Sequence, residues 1–334
     1  MRRFSAAGLI WALAIVLPAV SLLSMTVGTV SISVEDLFAA DNSQTQTILF
    51  DIRLPRILLA ICVGAVLSST GAVMQGLFRN PLADPSLIGV SSGASVGASL
   101  MIVAAAGFIH SGALLGLSLV AVGAFIGGFV ATLLVYRLAT SGIGTSVTTM
   151  LLAGIAIAAI AGALNSLLSY FSDNDMLRQI SLWQMGNLSG ASWTKVSIMA
   201  SVALLLMSLF PRDSRALNAL LLGESEARHL GVDVQAVKRR LIILTALGVG
   251  VCVALAGLVG FVGLIIPHIV RLAIGPDHRW LIPASALAGA TLLVIADSLA
   301  RIVVVPAELP TGILTALLGA PFFFALLLQQ RKQV

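Results

Sequence analysis

The chain has 334 residues, of which 58% are hydrophobic and only 10% charged, with a formal net charge of +5 and a pI near 9.9. Soluble domains carry roughly a quarter charged residues, so a soluble enzyme or binding domain is excluded and the surplus apolar surface must face lipid. The basic residues lie at the ends of apolar segments rather than in one patch, which argues against nucleic acid. The two cysteines, Cys62 and Cys252, fall inside such segments and imply no disulfide framework or metal site.

A helix crossing a bilayer needs roughly 20 apolar residues. The opening MRRFSAAGLIWALAIVLPAVSLLSM pairs a basic head with an apolar core. That core exceeds the ~7–15 residues of a signal-peptide apolar region, so 6–27 is read as a retained first span. Residues 29–51 form a polar loop with Glu35, Asp36, Asp41 and Asp51, and Arg53 and Arg56 stand at the mouth of a second span, 54–78. Positive charge on that side opposes the usual bias; phosphate headgroups or an acidic partner would each account for it. RNPLADPSLIG (79–89) follows. Pro81 and Pro85 each disfavour helix in the preceding residue, and Asn80 and Asp84 are suited to cap backbone amides, so the stretch reads as an interhelix turn.

Spans 87–108, 113–136, 147–171 and 192–210 come next. The short loop SGIGTS (141–146) lacks the lysine of a phosphate-binding loop, and no stretch matches G-x-x-x-x-G-K-[ST]. The chain therefore hydrolyses no ATP itself, and a pump built on it would draw energy from ions or from a partner. A second polar loop occupies 172–191.

Residues 211–240 differ from everything around them. They hold ten charged residues: Arg212, Asp213, Arg215, Glu224, Glu226, Arg228, Asp233, Lys238, Arg239 and Arg240. Two short helices broken at Gly223 and Gly231 are expected, with Leu217, Leu220, Leu221, Leu222 and Leu230 as an apolar face. The segment is either a platform offered to a partner or an ordinary solvated loop, and its basic balance assigns it to the cytoplasm.

The stretch 241–273 contains Gly257, Gly260, Gly263 and Pro267 and is divided into spans 241–258 and 260–273. Proline removes a backbone hydrogen bond and kinks a helix. His268 and Arg271 follow it; a lone histidine more often bonds a neighbouring loop than ligates heme or a metal. Spans 281–300 and 312–328 complete the chain. Asp297 is the one acid well inside a span, with Arg301 one turn later on the same face. An i, i+4 ion pair and a role in ion coupling are the competing readings, the pair being favoured.

Dividing 241–273 gives ten spans, with both termini cytoplasmic and 14 Lys/Arg inside against five outside (Arg53, Arg56, Arg178, Lys195 and Arg301). A single span there leaves 11 against 8, so the positive-inside rule favours ten. The expected fold is all-α, with the short helices of 211–240 between spans 6 and 7. Five spans on either side of the platform would place two related halves in opposite orientations.

RLPR (53–56), GAVMQGLFRNPLADPSLIGVSSGA (71–94), GESEARHLGV (223–232), GFVGLIIPHIVR (260–271) and AELPTGILTALLGAP (307–321) resemble the permeases of bacterial ABC importers for iron-siderophores, heme and cobalamin. The resemblance runs from about residue 50 to the end, and the sequence looks most similar to hemin-import permeases. It implies a homodimer in the bacterial inner membrane, with two cytoplasmic ATPase subunits using ATP and Mg and a periplasmic binding protein above. No cofactor is implied for this chain, and heme would be the transported substrate. The resemblance makes the short helices of 211–240 coupling helices: carried over residue by residue, Gly223, Glu224, Ala227, Arg228 and Gly231 would seat in the ATPase. Arg53, Arg56 and Arg301 would pair with acids of the binding protein. Ser141, Thr145, Ser146, Thr149, Met150, Gly154 and Ala161 would belong to the gate and pore, and Arg79, Asn80, Pro81, Pro267, His268 and Arg271 to cytoplasmic motifs. An ion-driven carrier or a passive channel are the other classes; the platform, the missing phosphate-binding loop and the outer arginines argue against both.

Overall fold

The computed structural model describes residues 5–28, 43–106, 113–142 and 144–331, and builds them almost wholly from helix. In chain order these are α1 (Ala6–Thr26), α2 (Ser43–Gln46), a π-helical stretch Thr47–Arg53, α3 (Leu54–Leu77), a 3-10 turn Pro85–Ile88, α4 (Val90–Ala106) and α5 (Ala113–Ala139). A minimal hairpin, β1 (Thr140–Ser141) with β2 (Gly144–Thr145), precedes α6 (Val147–Tyr170), α7 (Asn174–Gln184) and α8 (Trp193–Leu209). The 3-10 turn Phe210–Asp213 leads to α9 (Ser214–Leu222), α10 (Glu224–His229), α11 (Val234–Ala256), α12 (Val262–Ile274), α13 (His278–Ala300) and α14 (Thr311–Arg331).

Each predicted span overlaps one of these helices. Among the described residues, seven helices are long and apolar enough to cross a membrane, and three shorter apolar ones begin at Val90, Val262 and Thr311. Arg2, Arg3, Lys332 and most of the loop 29–51 lie outside the described residues.

The boundaries are written in local chemistry. Ser146, Asp173, Ser192, Asp233 and Asp277 each accept a hydrogen bond from a first-turn amide and so start α6, α7, α8, α11 and α13. Gly223 (φ 127°) separates α9 from α10 in a conformation that side chains rarely adopt.

Three expectations about polar segments are corrected. Residues 43–53 are helical and run into α3, because the apolar TILF stretch buries Leu49 rather than staying in water. The loop 172–191 contains the capped helix α7, whose Ile180 is buried. Finally, α11 begins at Val234, so the last basic residues of the platform already belong to the long helix.

The chain divides into two compact units that do not follow the consecutive halves. Unit 1 comprises Met1–Ala72, Asn187–Ser214 and Val259–Val334; unit 2 comprises Val73–Gly186 and Arg215–Leu258. Within unit 1, α1 packs along α13, and α12 packs on α13 and α14. Gly64 meets Gly289 and Gly71 meets Gly263 so closely that a Cβ on Gly71 would lie 1.8 Å from the Gly263 carbonyl oxygen. Within unit 2, Gly97 and Gly123 bring α4 and α5 together in the same way, a Cβ on Gly97 falling 2.0 Å from the Gly123 carbonyl. Small residues that let backbones touch are the usual packing device in lipid, where apolar side chains gain little by leaving the tails. A polar clamp adds to it: Ser99 donates to Asn165 Oδ1 at 2.7 Å and Asn165 Nδ2 donates to Ser95 at 3.0 Å, tying α4 to α6.

Candidate functional site

Two clusters of charged side chains stand out, one in each unit. In unit 1 the arginines expected at an outer rim are turned inward. Arg56 Nε donates to both oxygens of Asp297 at 3.0 and 2.9 Å, and its Nη1 donates to Glu308 at 2.7 Å. Arg301, one turn beyond Asp297, reaches the same carboxylate at 3.4 Å and also donates to the Val27 carbonyl and to Ser24. Arg53 donates to the Met25 carbonyl, and Thr311 donates to Asp297 at 3.1 Å. The side chains of Arg56, Arg301 and Asp297 are 5% exposed or less, whereas Glu308 keeps 32%.

Asp297 thus pairs with Arg301 as the i, i+4 spacing suggested, but its closer partner is Arg56, 241 positions away in sequence. Charges this deep persist only when paired and hydrogen-bonded. One Arg56 nitrogen, Nη2, has no partner among the described residues and Glu308 is the half-open member, so this pair is the part of the cluster that could change partner. Glu308 lies inside the AELPTG motif but was given no role of its own in the sequence, because nothing local to it indicates the distant Arg56.

In unit 2, α10 and the start of α11 face the β1–β2 hairpin across a cleft of about 560 Å³, lined by Arg79, Ser141, Ser146, Glu224, Arg228 and Gln235. Arg79 has φ 50° and tops a turn in which Asn80 accepts from the Leu82 amide and Asp84 accepts from the Ser86 amide. Burial pushes the Asp84 carboxyl up, opposed by its bonds from Ser86. Pro81 lies within this turn. The Arg79 guanidinium comes within 3.8 Å of where a Cβ on Gly223 would sit. Ala227 is fully buried and seats α10, while Arg228 is 58% exposed and only 3.9 Å from Glu224, a surface pair of small worth. Leu217 and Leu220 face inward; Leu222 and Leu230 remain about two-thirds exposed at 68% and 65%.

Beneath the cleft lies Lys238, with 2% of its side chain exposed. Its Nζ donates to Glu224 at 2.6 Å and to the Thr145 carbonyl at 2.8 Å. Gln235 Oε1 accepts from the Thr145 amide at 3.0 Å. Neither residue was picked out in sequence reading, yet a signal existed: Val234, Val237, Lys238, Leu241 and Ile242 recur at helical spacing and all are buried, while Arg239 and Arg240 are not.

The gate and pore candidates divide. Ser141, Ser146 and Thr149 are exposed and Thr145 is buried against α11. Met150, Gly154 and Ala161 lie on the inner side of α6; a Cβ on Gly154 would fall 2.0 Å from the Leu87 carbonyl. The lack of a side chain at Gly154 lets α6 approach the backbone at Leu87. The open side of α6 carries Leu152, Ile155, Ile160, Leu164 and Leu167. Pro267, His268 and Arg271 belong to unit 1, where Pro267 and His268 are buried in α12 and the His268 ring stands edge-on to Phe322 at 6.4 Å. Among the described residues no three His, Cys, Asp or Glu side chains are grouped to hold a metal.

The sequence profile of the FecCD transport family matches residues 15–329. The chain belongs to the FecCD transport family. It is 46% identical to the hemin transport system permease protein HmuU of Yersinia pestis over 322 residues, 96% of this chain and 95% of that one. It is 43% identical over 311 residues to the vitamin B12 import system permease protein BtuC of Shigella boydii, covering 93% and 92%. A solved chain described as a metal-chelate type ABC transporter in an inward-facing conformation is 36% identical, with a TM-score of 0.86 over 97% of this chain and 99% of that one. As a FecCD chain it is an integral membrane transport subunit, and the platform and arginine motifs found by sequence fall within the matched region.

Proposed function

We infer that this chain is the permease subunit of a bacterial inner-membrane ABC importer and that its substrate is heme. The observation that carries the substrate is the 46% identity, over 322 residues, to a hemin permease. An iron-siderophore or cobalamin is the second reading, favoured by the 43% identity to a vitamin B12 permease.

In this reading ten spans form two inverted five-helix halves, both termini are cytoplasmic, and two copies enclose a pore on their shared axis. The apolar side of α6 left open in the single chain, from Leu152 to Leu167, supports such a partner copy. The helices α9 and α10 act as coupling helices, with the exposed Leu222 and Leu230 available to two separate ATPase subunits that bind ATP and Mg. Gly223, Glu224, Arg228 and Gly231 form that contact, and the buried Ala227 seats α10 behind it. A periplasmic binding protein supplies affinity and docks at the arginine cluster. There Arg53 and Arg301 shape the surface from below, and Arg56 exchanges Glu308 for an acid of the partner.

Uptake in proteoliposomes holding this chain, its ATPase subunits and a hemin-loaded binding protein tests the reading. ATP-dependent hemin accumulation, lost on Glu224→Arg, is the expected result. ATP hydrolysis without hemin uptake redirects the substrate to cobalamin or a siderophore. Failure to co-purify with any ATPase subunit overturns the importer reading itself.

A further inference from the structure

We propose that Lys238 is the positioning residue that transmits motion from the coupling helix α10 to the gate hairpin β1–β2, acting as a buried cationic pin between Glu224 and Thr145. The inference rests on the importer reading and adds to it a residue and a route.

An ammonium has three donors, and two are used on groups from different elements: the Glu224 carboxylate on α10 and the Thr145 carbonyl on β2. The lysine itself projects from the second turn of α11, where it is 2% exposed. Removing one partner of a buried ion pair is costly, so Glu224 cannot move away without carrying the cation or abandoning it. Gln235, three residues earlier on the same helix, accepts from the Thr145 amide, so β2 is held through both its N–H and its C=O. A Cβ on Gly144 would lie 2.4 Å from the Gln235 amide nitrogen, which places the Gln235 side chain directly against the hairpin backbone.

From Thr145 the connection is covalent and short. Ser146 caps α6, and Thr140 and Thr145 share a hydroxyl–hydroxyl contact at 3.0 Å across the hairpin. A displacement of α10 is thereby delivered to the first residue of α6 through two charge-assisted bonds rather than through loose loop contacts. Arg228, mostly exposed and 3.9 Å from Glu224, leaves the outer carboxylate oxygen open to a partner while the inner one stays on Lys238.

The test uses the full transporter with its two ATPase subunits. Gly142, at the hairpin tip, has nothing within 4 Å of an added Cβ, so Gly142→Cys reports the hairpin without disturbing it. Maleimide labelling of that cysteine is expected to change about fivefold or more on addition of ATP and vanadate. With Lys238→Met the change is expected to fall below about 1.5-fold, while ATP hydrolysis stays within about twofold. Lys238→Arg, which keeps two or more donors, is expected to restore part of the response. Glu224→Gln is expected to lower the labelling response as well, with no further loss in the double variant; should Lys238→Met fail to assemble, Lys238→Gln, which removes the charge but keeps a polar side chain beside Glu224 and Thr145, carries the test. A full labelling response in Lys238→Met, or a parallel collapse of hydrolysis and labelling, overturns the proposal. Absence of any association between the parent chain and ATPase subunits overturns the importer reading instead, a result visible before any labelling.

Discussion

The charged clusters of the two units use similar parts under different degrees of burial. In unit 1 the acid at the centre, Asp297, is 1% exposed and holds two arginines that are themselves nearly buried. In unit 2 the cation at the centre, Lys238, is 2% exposed, but its acid Glu224 keeps 32% of its side chain in contact with solvent. The first arrangement cannot lose Asp297, Arg56 or Arg301 without stranding a charge in a low-dielectric interior. The second can let its acid take water or a new partner. One is therefore built to hold the ends of α1, α3 and α13 in register, and the other to pass a load between elements.

The sharpest way to break this comparison is Asp297→Asn. It leaves Arg56 and Arg301 without their shared carboxylate, and removing one member of a buried pair typically costs about 3–5 kcal/mol. Thermal denaturation in detergent should show a large drop in midpoint or a loss of folded protein; a near-unchanged midpoint would mean that the arginines are hydrated. Lys238→Met replaces the pin with an apolar chain of similar length and leaves behind an acid that water can reach. Its midpoint should fall by less than half as much as that of Asp297→Asn, and an equal fall would erase the distinction between the clusters. Glu308→Gln removes one bond from Arg56 at a part-exposed position, for which about 0–1 kcal/mol is expected.

The smallest effect concerns Asp84, outside both clusters. Burial raises its folded-state pKa, so the folded chain binds the proton more tightly than the unfolded one. The stability this contributes is complete below the unfolded value of roughly 3.9 and is lost as pH rises through the higher folded value. Asp84→Asn keeps a good cap for the 3-10 turn and should flatten the denaturation midpoint over that window. A parent midpoint that rises with pH over that window relative to the variant would show that the carboxylate, not the acid, is the form the fold prefers.

Much of this was open to reading before any coordinates. Apolar runs too long for a soluble core placed the helices, and the expected breaks at Gly223 and Gly231 bound α10 on both sides. Failures came where a polar stretch is amphipathic rather than solvated. Residues 43–53 and 174–184 carry too few apolar residues to look like spans, yet bury Leu49 and Ile180 once helical. The three consecutive basic residues from Lys238 to Arg240 looked alike, although helical phase sends only the first inward.

Composition and motif order were enough to determine an all-α membrane permease of a transport family, because lipid leaves a chain of this hydropathy few alternatives and because the motifs are contiguous in sequence. What only the tertiary structure decided is which charges meet. Arg56 is 241 positions from Asp297, and Lys238 is 93 positions from Thr145. No local pattern encodes such pairings, since a charge is held only by whatever the packing of distant helices brings within about 3 Å. The same packing turned Met150, Gly154 and Ala161 inward and left the leucines of α6 outside, a choice of face that residue type alone could not make.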